Sequence, residues 1–182
     1  MAIRRIILAD EPLLREKSKK VKRITGDVQR LIDDMVETMR AAPGVGLAAP
    51  QVGVLRRVVV MEVPIRNEND DEEEEPRTQL YVLANPEIVK LSEETICAEE
   101  GCLSIPGYVG EVERAAEVVV RYLNRAGRKM RLKGNGFLAR VIQHEVDHLD
   151  GILYTDRLTS LDTLRPVKPG TEEEGELEIM IA

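Results

Sequence analysis

The chain holds two histidines, and they stand four residues apart with a glutamate after the first: His144, Glu145 and His148, in the run QHEVDHLDG at 143–151. On a helix, positions i and i+4 share a face one turn apart. Two imidazoles can then converge on one metal ion while the adjacent carboxylate reaches a water beside it. The bland alternative is two helix histidines that are merely neighbours. It would set a polar trio on an otherwise apolar face, where each unpartnered buried group costs about 1–3 kcal/mol. Two histidines do not hold a catalytic ion, so a third protein ligand must come from elsewhere. The extended protease pattern with a third histidine fits as far as Gly151, but its last position is Tyr154, and the first glutamate beyond Glu145 is Glu172. Of the two cysteines, Cys102 sits in EEGCLSIPG, where Gly101 lends backbone freedom and Pro106 with Gly107 fixes a turn. Cys97 has no such setting and reads as a buried apolar residue. A thiolate with two imidazoles suits zinc, iron(II), cobalt or nickel and leaves a fourth position for water, the layout of a hydrolase. A metalloprotease with Cys102 or an aspartate as third ligand, and a structural metal module, are the competing readings.

Such groups need rigid elements to hold them. From Phe137 onward, Phe137, Leu138, Val141, Ile142, Glu145, His148 and Leu149 fall on one helical face that Gly151 ends. A second helix follows from Val28, Leu31, Ile32, Met35, Val36 and Met39, capped at Thr25 or Asp27 and ended by Pro43 and Gly44. Between the helices, Val58 to Met61 reads as a buried strand. Residues 80–91 read as a strand broken at Asn85 and Pro86, and residues 117–123 as another strand, followed by a turn at Asn124–Lys129 with Gly127 at a positive φ. The expectation is an α+β domain: mostly antiparallel sheets around a central helix that carries the HExxH motif. One metallohydrolase domain spans 1–165 and is interrupted by an acidic insertion at 67–76. The residues 166–182 form an acidic tail in which Leu177, Ile179 and Ile181 alternate as in a short strand.

Composition narrows the class. Of 182 residues, 43% are apolar and only 3% aromatic, so the core must be aliphatic. The net charge of −7 comes from two places: seven acids within 68–75 and five within 172–178, with no Lys or Arg in either stretch. Without those twelve, 21 acids face 26 bases. The body is then about +5, compatible with RNA or another polyanion. Two cysteines make no disulfide framework, the N-terminal apolar run Ile6–Ala9 is too short for a signal peptide, and no window of about 18 apolar residues spans a membrane. The expected compartment is the cytoplasm.

Three separated segments, GVGLAAPQVG at 44–53, EGCLSIPG at 100–107 and QHEVDHLDG at 143–151, resemble the motifs of peptide deformylases, in that family's order. The likeness runs from about residue 3 to 160. It implies metal-dependent removal of the N-formyl group from the methionine of newly made polypeptides, releasing formate. It implies Cys102, His144 and His148 as metal ligands, Glu145 as general acid and base, and Gln51 through its amide and Leu103 through its backbone N–H as oxyanion donors. Iron(II) is the implied ion, with zinc, nickel or cobalt as other occupants. Small residues around Val45, Gly46 and Gly101 leave room for an extended peptide to pair with the backbone. Val45, Phe137, Val141 and His144 are expected to line a pocket for the methionine side chain. Glu100 and Arg114 are expected to pair beside the cysteine loop, and Asp147 or Asp150 to orient the histidines. The partners are formylated nascent peptides and, by the resemblance, the ribosome; neither DNA nor a membrane is expected. Many bacterial relatives continue into a long basic helix associated with ribosome docking. The tail here departs from that pattern, and an edge strand or a dimer contact is expected of it.

Overall fold

The structure, a computed structural model, describes residues 2–42, 44–65, 77–167 and 180–181. The acidic insertion expected at 67–76 and the glutamates of the tail lie outside the described residues. Helix α1, Gly26–Ala41, forms where the sequence places it, with Thr25 at the N-cap, Asp27 in the first turn and Arg40 in the last. Thr25 makes no side-chain cap bond. The i, i+3, i+4 stripe of α1 is the buried one: Val28, Leu31, Ile32, Met35, Val36 and Met39.

Strands β1 (Gly46–Ala48), β2 (Val58–Ile65), β3 (Arg77–Leu91), β6 (Glu117–Leu123) and β7 (Lys129–Asn135) make an antiparallel sheet in the order β1-β2-β3-β6-β7. The unbroken apolar run of β2 has a simple cause. Its Val58 and Val60 pack into the α1 cluster, while Val59 and Met61 pack on the other face with Val141 and Ile142 of helix α2, Gly136–Leu149. With both faces covered, alternation disappears.

Contrary to the sequence reading, Asn85 and Pro86 do not break the strand. β3 runs through them with a register shift between Ala84 and Glu87, and Asn85 adopts φ 52°. Its amide accepts from Val21 N–H at 2.7 Å and donates to Val21 C=O at 2.8 Å, so the irregularity straps a neighbouring segment to the sheet. The turn after β6 forms as expected, with Gly127 at φ 75°.

A second sheet, in the order β8-β5-β4-β9, holds β4 (Thr95–Cys102), β5 (Ile105–Ala115), β8 (Arg165–Pro166) and β9 (Met180–Ile181). β9 runs parallel to β4, with Met180 opposite Glu100 and Ile181 opposite Gly101. Cys97 corrects the sequence reading: it is exposed, because the first half of β4 meets solvent and only the run from Glu100 to Cys102 is fully buried. Gly151, at φ 76°, ends α2 as its position implied, lying so close to the Arg15 carbonyl that no side chain fits.

Candidate metal centre

Helix α2 faces two ways. Ala139, Val141, Ile142 and Leu149 bury into the sheet core. One turn apart on another line, His144 and His148 point at the tight turn between β4 and β5, where Cys102 sits at a register shift. Ligand atoms of Cys102, His144 and His148 lie within 4.8 Å of one another, and all three residues are buried. The thiol sulfur is 3.3 Å from His148 Nε2.

The second ring nitrogen of His144 shows which atom is bare. Nδ1 lies 2.8 Å from Glu100 Oε2. Burial alone would raise the Glu100 carboxyl, but hydrogen bonds and charge from His144 and Arg114 outweigh it and hold the group well below the usual range. An ionised carboxylate only accepts, so Nδ1 carries the proton and Nε2 presents a lone pair. That Nε2 has no partner among the described residues, nor do His148 Nδ1 and both carboxylate oxygens of the fully buried Glu145. Several orphaned polar atoms around one thiol would be costly in a dry core. A divalent cation at the Cys102–His144–His148 triad is the group these residues fit, with a soft sulfur and two imidazoles as donors.

The titration tendencies agree. Burial, then the Glu100 charge, pushes Glu145 well above the ordinary carboxylate range; burial pushes the Cys102 thiol up to about 12; burial, then His144 and Arg114, pushes His148 well below its usual value. Each shift favours the uncharged form, and a nearby cation opposes the first two.

Around the triad, the expected residues divide. Glu100 and Arg114 do pair, through Nε–Oε1 and Nη2–Oε2 contacts of 3.0 Å each. Asp147 and Asp150 do not orient the histidines, contrary to the sequence reading. Asp147 is taken by Arg114 and Arg157, and Asp150 by Arg57, so their carboxylates serve cations rather than the imidazoles. Gln51 is fully buried, its Oε1 accepts from Ala48 N–H at 2.8 Å, and this leaves Nε2 to point at Cys102 Sγ (3.5 Å) and Ser104 Oγ (3.3 Å). Gly46 lies against the Glu145 carboxyl with no room for a Cβ. Leu103 follows Cys102 in the turn and closes over Gly44.

Val45, Phe137 and Val141 share one apolar cluster, with Val141 fully buried. Gly101 and Leu103 line a groove of about 350 Å³ with Ile105 and Tyr108, whereas Phe137 lines a separate pocket of about 250 Å³ with Ile96, Ala98 and Arg140. Three neighbours escaped the sequence reading. Ser104 donates its backbone N–H to Cys102 Sγ at 3.4 Å. Tyr154 stacks on His144, with ring centroids 6.2 Å apart. Arg140 donates to Glu100 at 2.8 Å and to the carbonyls of Ile96 (2.6 Å) and Val112 (2.9 Å). The one available signal was Arg140 itself, a cation one helical turn before His144.

The chain is similar to known proteins over nearly its whole length. The family profile described as polypeptide deformylase matches residues 3–164. A peptide deformylase of Dehalococcoides mccartyi is 51% identical over 177 residues, covering 97% of this chain and 99% of the relative. The crystal structure of a peptide deformylase from Ehrlichia chaffeensis superposes with a TM-score of 0.79 at 39% identity, over 89% of this chain and 91% of that one. A class I type b peptide deformylase from Acinetobacter baumannii, solved with Met-Ala-Ser bound, superposes with a TM-score of 0.77 at 36% identity, over 86% and 99%.

Proposed function

The chain belongs to the peptide deformylase family, and from that premise we propose which of its residues carry the reaction. The activity is metal-dependent hydrolysis of the N-formyl group from formylated peptides, releasing formate. Cys102, His144 and His148 would hold one divalent ion, and we assign iron(II) to it in the cell. When bound, that ion supplies Lewis acidity, activating water at neutral pH and polarising the formyl carbonyl.

The chain's own residues do the rest. Glu145, beside the triad and without another partner among the described residues, takes the proton from the attacking water and returns it to the peptide nitrogen as the C–N bond breaks, a service worth about 10²- to 10⁴-fold. Gln51 Nε2, fixed by the Ala48 N–H, and the Leu103 N–H donate to the oxygen that gains charge in the tetrahedral state. Glu100 keeps the proton of His144 on Nδ1, so Nε2 stays a ligand. The peptide lies extended along the backbone of Val45, Gly46 and Gly101, which asks little of its sequence, and Val45, Phe137 and Val141 receive the methionine side chain. Among the described residues no helix is long and apolar enough to cross a membrane. We place the enzyme in the cytoplasm, meeting chains at the ribosome.

The observation that carries this reading is the buried Glu145 carboxylate, without a hydrogen-bond partner among the described residues, beside three convergent ligand atoms and the Gln51 amide. Its test is Glu145→Gln, assayed for formate release together with metal content. The expected result is one ion per chain and turnover lowered by about 10²-fold or more. Full turnover by that variant would contradict the assigned role.

A further inference from the structure

Away from the metal centre, Lys19, Lys20, Lys22, Arg23 and Arg56 line one groove of about 510 Å³ over a floor that includes Val21, Val28 and Leu55. The cations are carried on a pinned backbone. Lys19 N–H donates to Leu55 C=O at 3.0 Å, Arg57 N–H donates to Lys19 C=O at 2.9 Å, and Ser18 N–H donates to Leu149 C=O at 2.9 Å. The Asn85 amide clasps both backbone groups of Val21. The flanking cations Arg15 and Arg57 are ion-paired, to Asp156 and Asp150. None of the five in the groove forms an ion pair among the described residues.

The described residues that flank the two acidic stretches lie outside this groove. The insertion leaves β2 at Ile65, seven residues and so about 24 Å along the strand from Val58, which adjoins Arg56 and Arg57. The tail departs at Val167, bonded to Gly107 C=O, and rejoins β4 at Met180–Ile181. Five like charges in one concavity repel each other and focus their field outward, an arrangement suited to a polyanion.

We propose that this groove docks the phosphate backbone of RNA. The choice of RNA among polyanions rests on the ribosomal encounter proposed above; the groove itself rests on geometry. A lipid surface is less suited, since the cations sit in a concavity whose apolar residues Val21 and Val28 are buried and offer no anchor.

The test is fluorescence anisotropy of a labelled uridine oligomer of about 20 nucleotides with the full chain over a salt series. The variant Lys19→Gln/Lys22→Gln/Arg56→Gln should weaken binding about tenfold or more near 0.1 M salt. It should also flatten the slope of log K against log salt by about 2, while formate release from a short peptide stays unchanged. A control with equal charge change on the exposed β7 hairpin, Arg128→Gln/Lys129→Gln/Arg131→Gln, should bind like the parent. Equal weakening by the control, parent-like binding by the groove variant, or binding to vesicles of phosphatidylserine and phosphatidylcholine without binding to the oligomer would each overturn the proposal. Turnover is read separately, so loss of RNA binding leaves the catalytic reading intact, and the reverse holds.

Discussion

At the scale of single residues, the centre is a set of polar atoms that make sense only together. Gln51 illustrates this. A glutamine in a Gly/Ala-rich loop ordinarily reads as surface, yet it is fully buried and its amide is oriented by one backbone N–H. Gln51→Ala should lower kcat by about 10²- to 10³-fold, the usual cost of losing an oxyanion donor, with little change in metal content. Glu145 supplies a pH test in the metal-free chain. Its folded pKa is raised, so above about pH 4.5 the unfolded state loses a proton that the folded state keeps, and stability falls as pH rises. Glu145→Gln should therefore raise the Tm of metal-free protein near pH 7.5 and change it little near pH 4, by differential scanning calorimetry. A difference that is equal at both pH values would contradict the assigned burial cost.

At the scale of elements, legibility followed pattern strength. Both helices were readable because their apolar stripes repeat over three or more turns, and β2 was readable because both its faces are covered. The β4–β5 hairpin was not. Its residues Thr95–Ala98 are exposed and its charged positions Glu100 and Arg114 are buried, so neither alternation nor a continuous run marks it. The same inversion misplaced Cys97 and hid Arg140. Arg140 bolts α2 to that hairpin through Glu100 and the carbonyls of Ile96 and Val112. Arg140→Met should cost about 3 kcal/mol of stability in urea unfolding, because it strips a donor from buried acceptors while Arg114 still serves Glu100. A loss under about 0.5 kcal/mol would mean the clamp is not structural.

At the scale of the whole molecule, the two sheets and α2 meet at the Cys102–His144–His148 triad, so an ion held there would couple metal binding to folding. Cys102 comes from one sheet, Gln51 from the loop that follows the first strand of the other, and His144 and His148 from the helix between them. The three motifs were visible in sequence as separate strings; their convergence is a property of the fold. The measurement that tests this most directly is formate release from formyl-Met-Ala-Ser by protein purified without oxygen and loaded with iron(II), beside chelator-stripped protein and Cys102→Ala. The account predicts rapid release by the loaded parent, none from the stripped protein until iron(II) is restored, and none from Cys102→Ala with or without added metal. Undiminished release by stripped protein or by Cys102→Ala would contradict it.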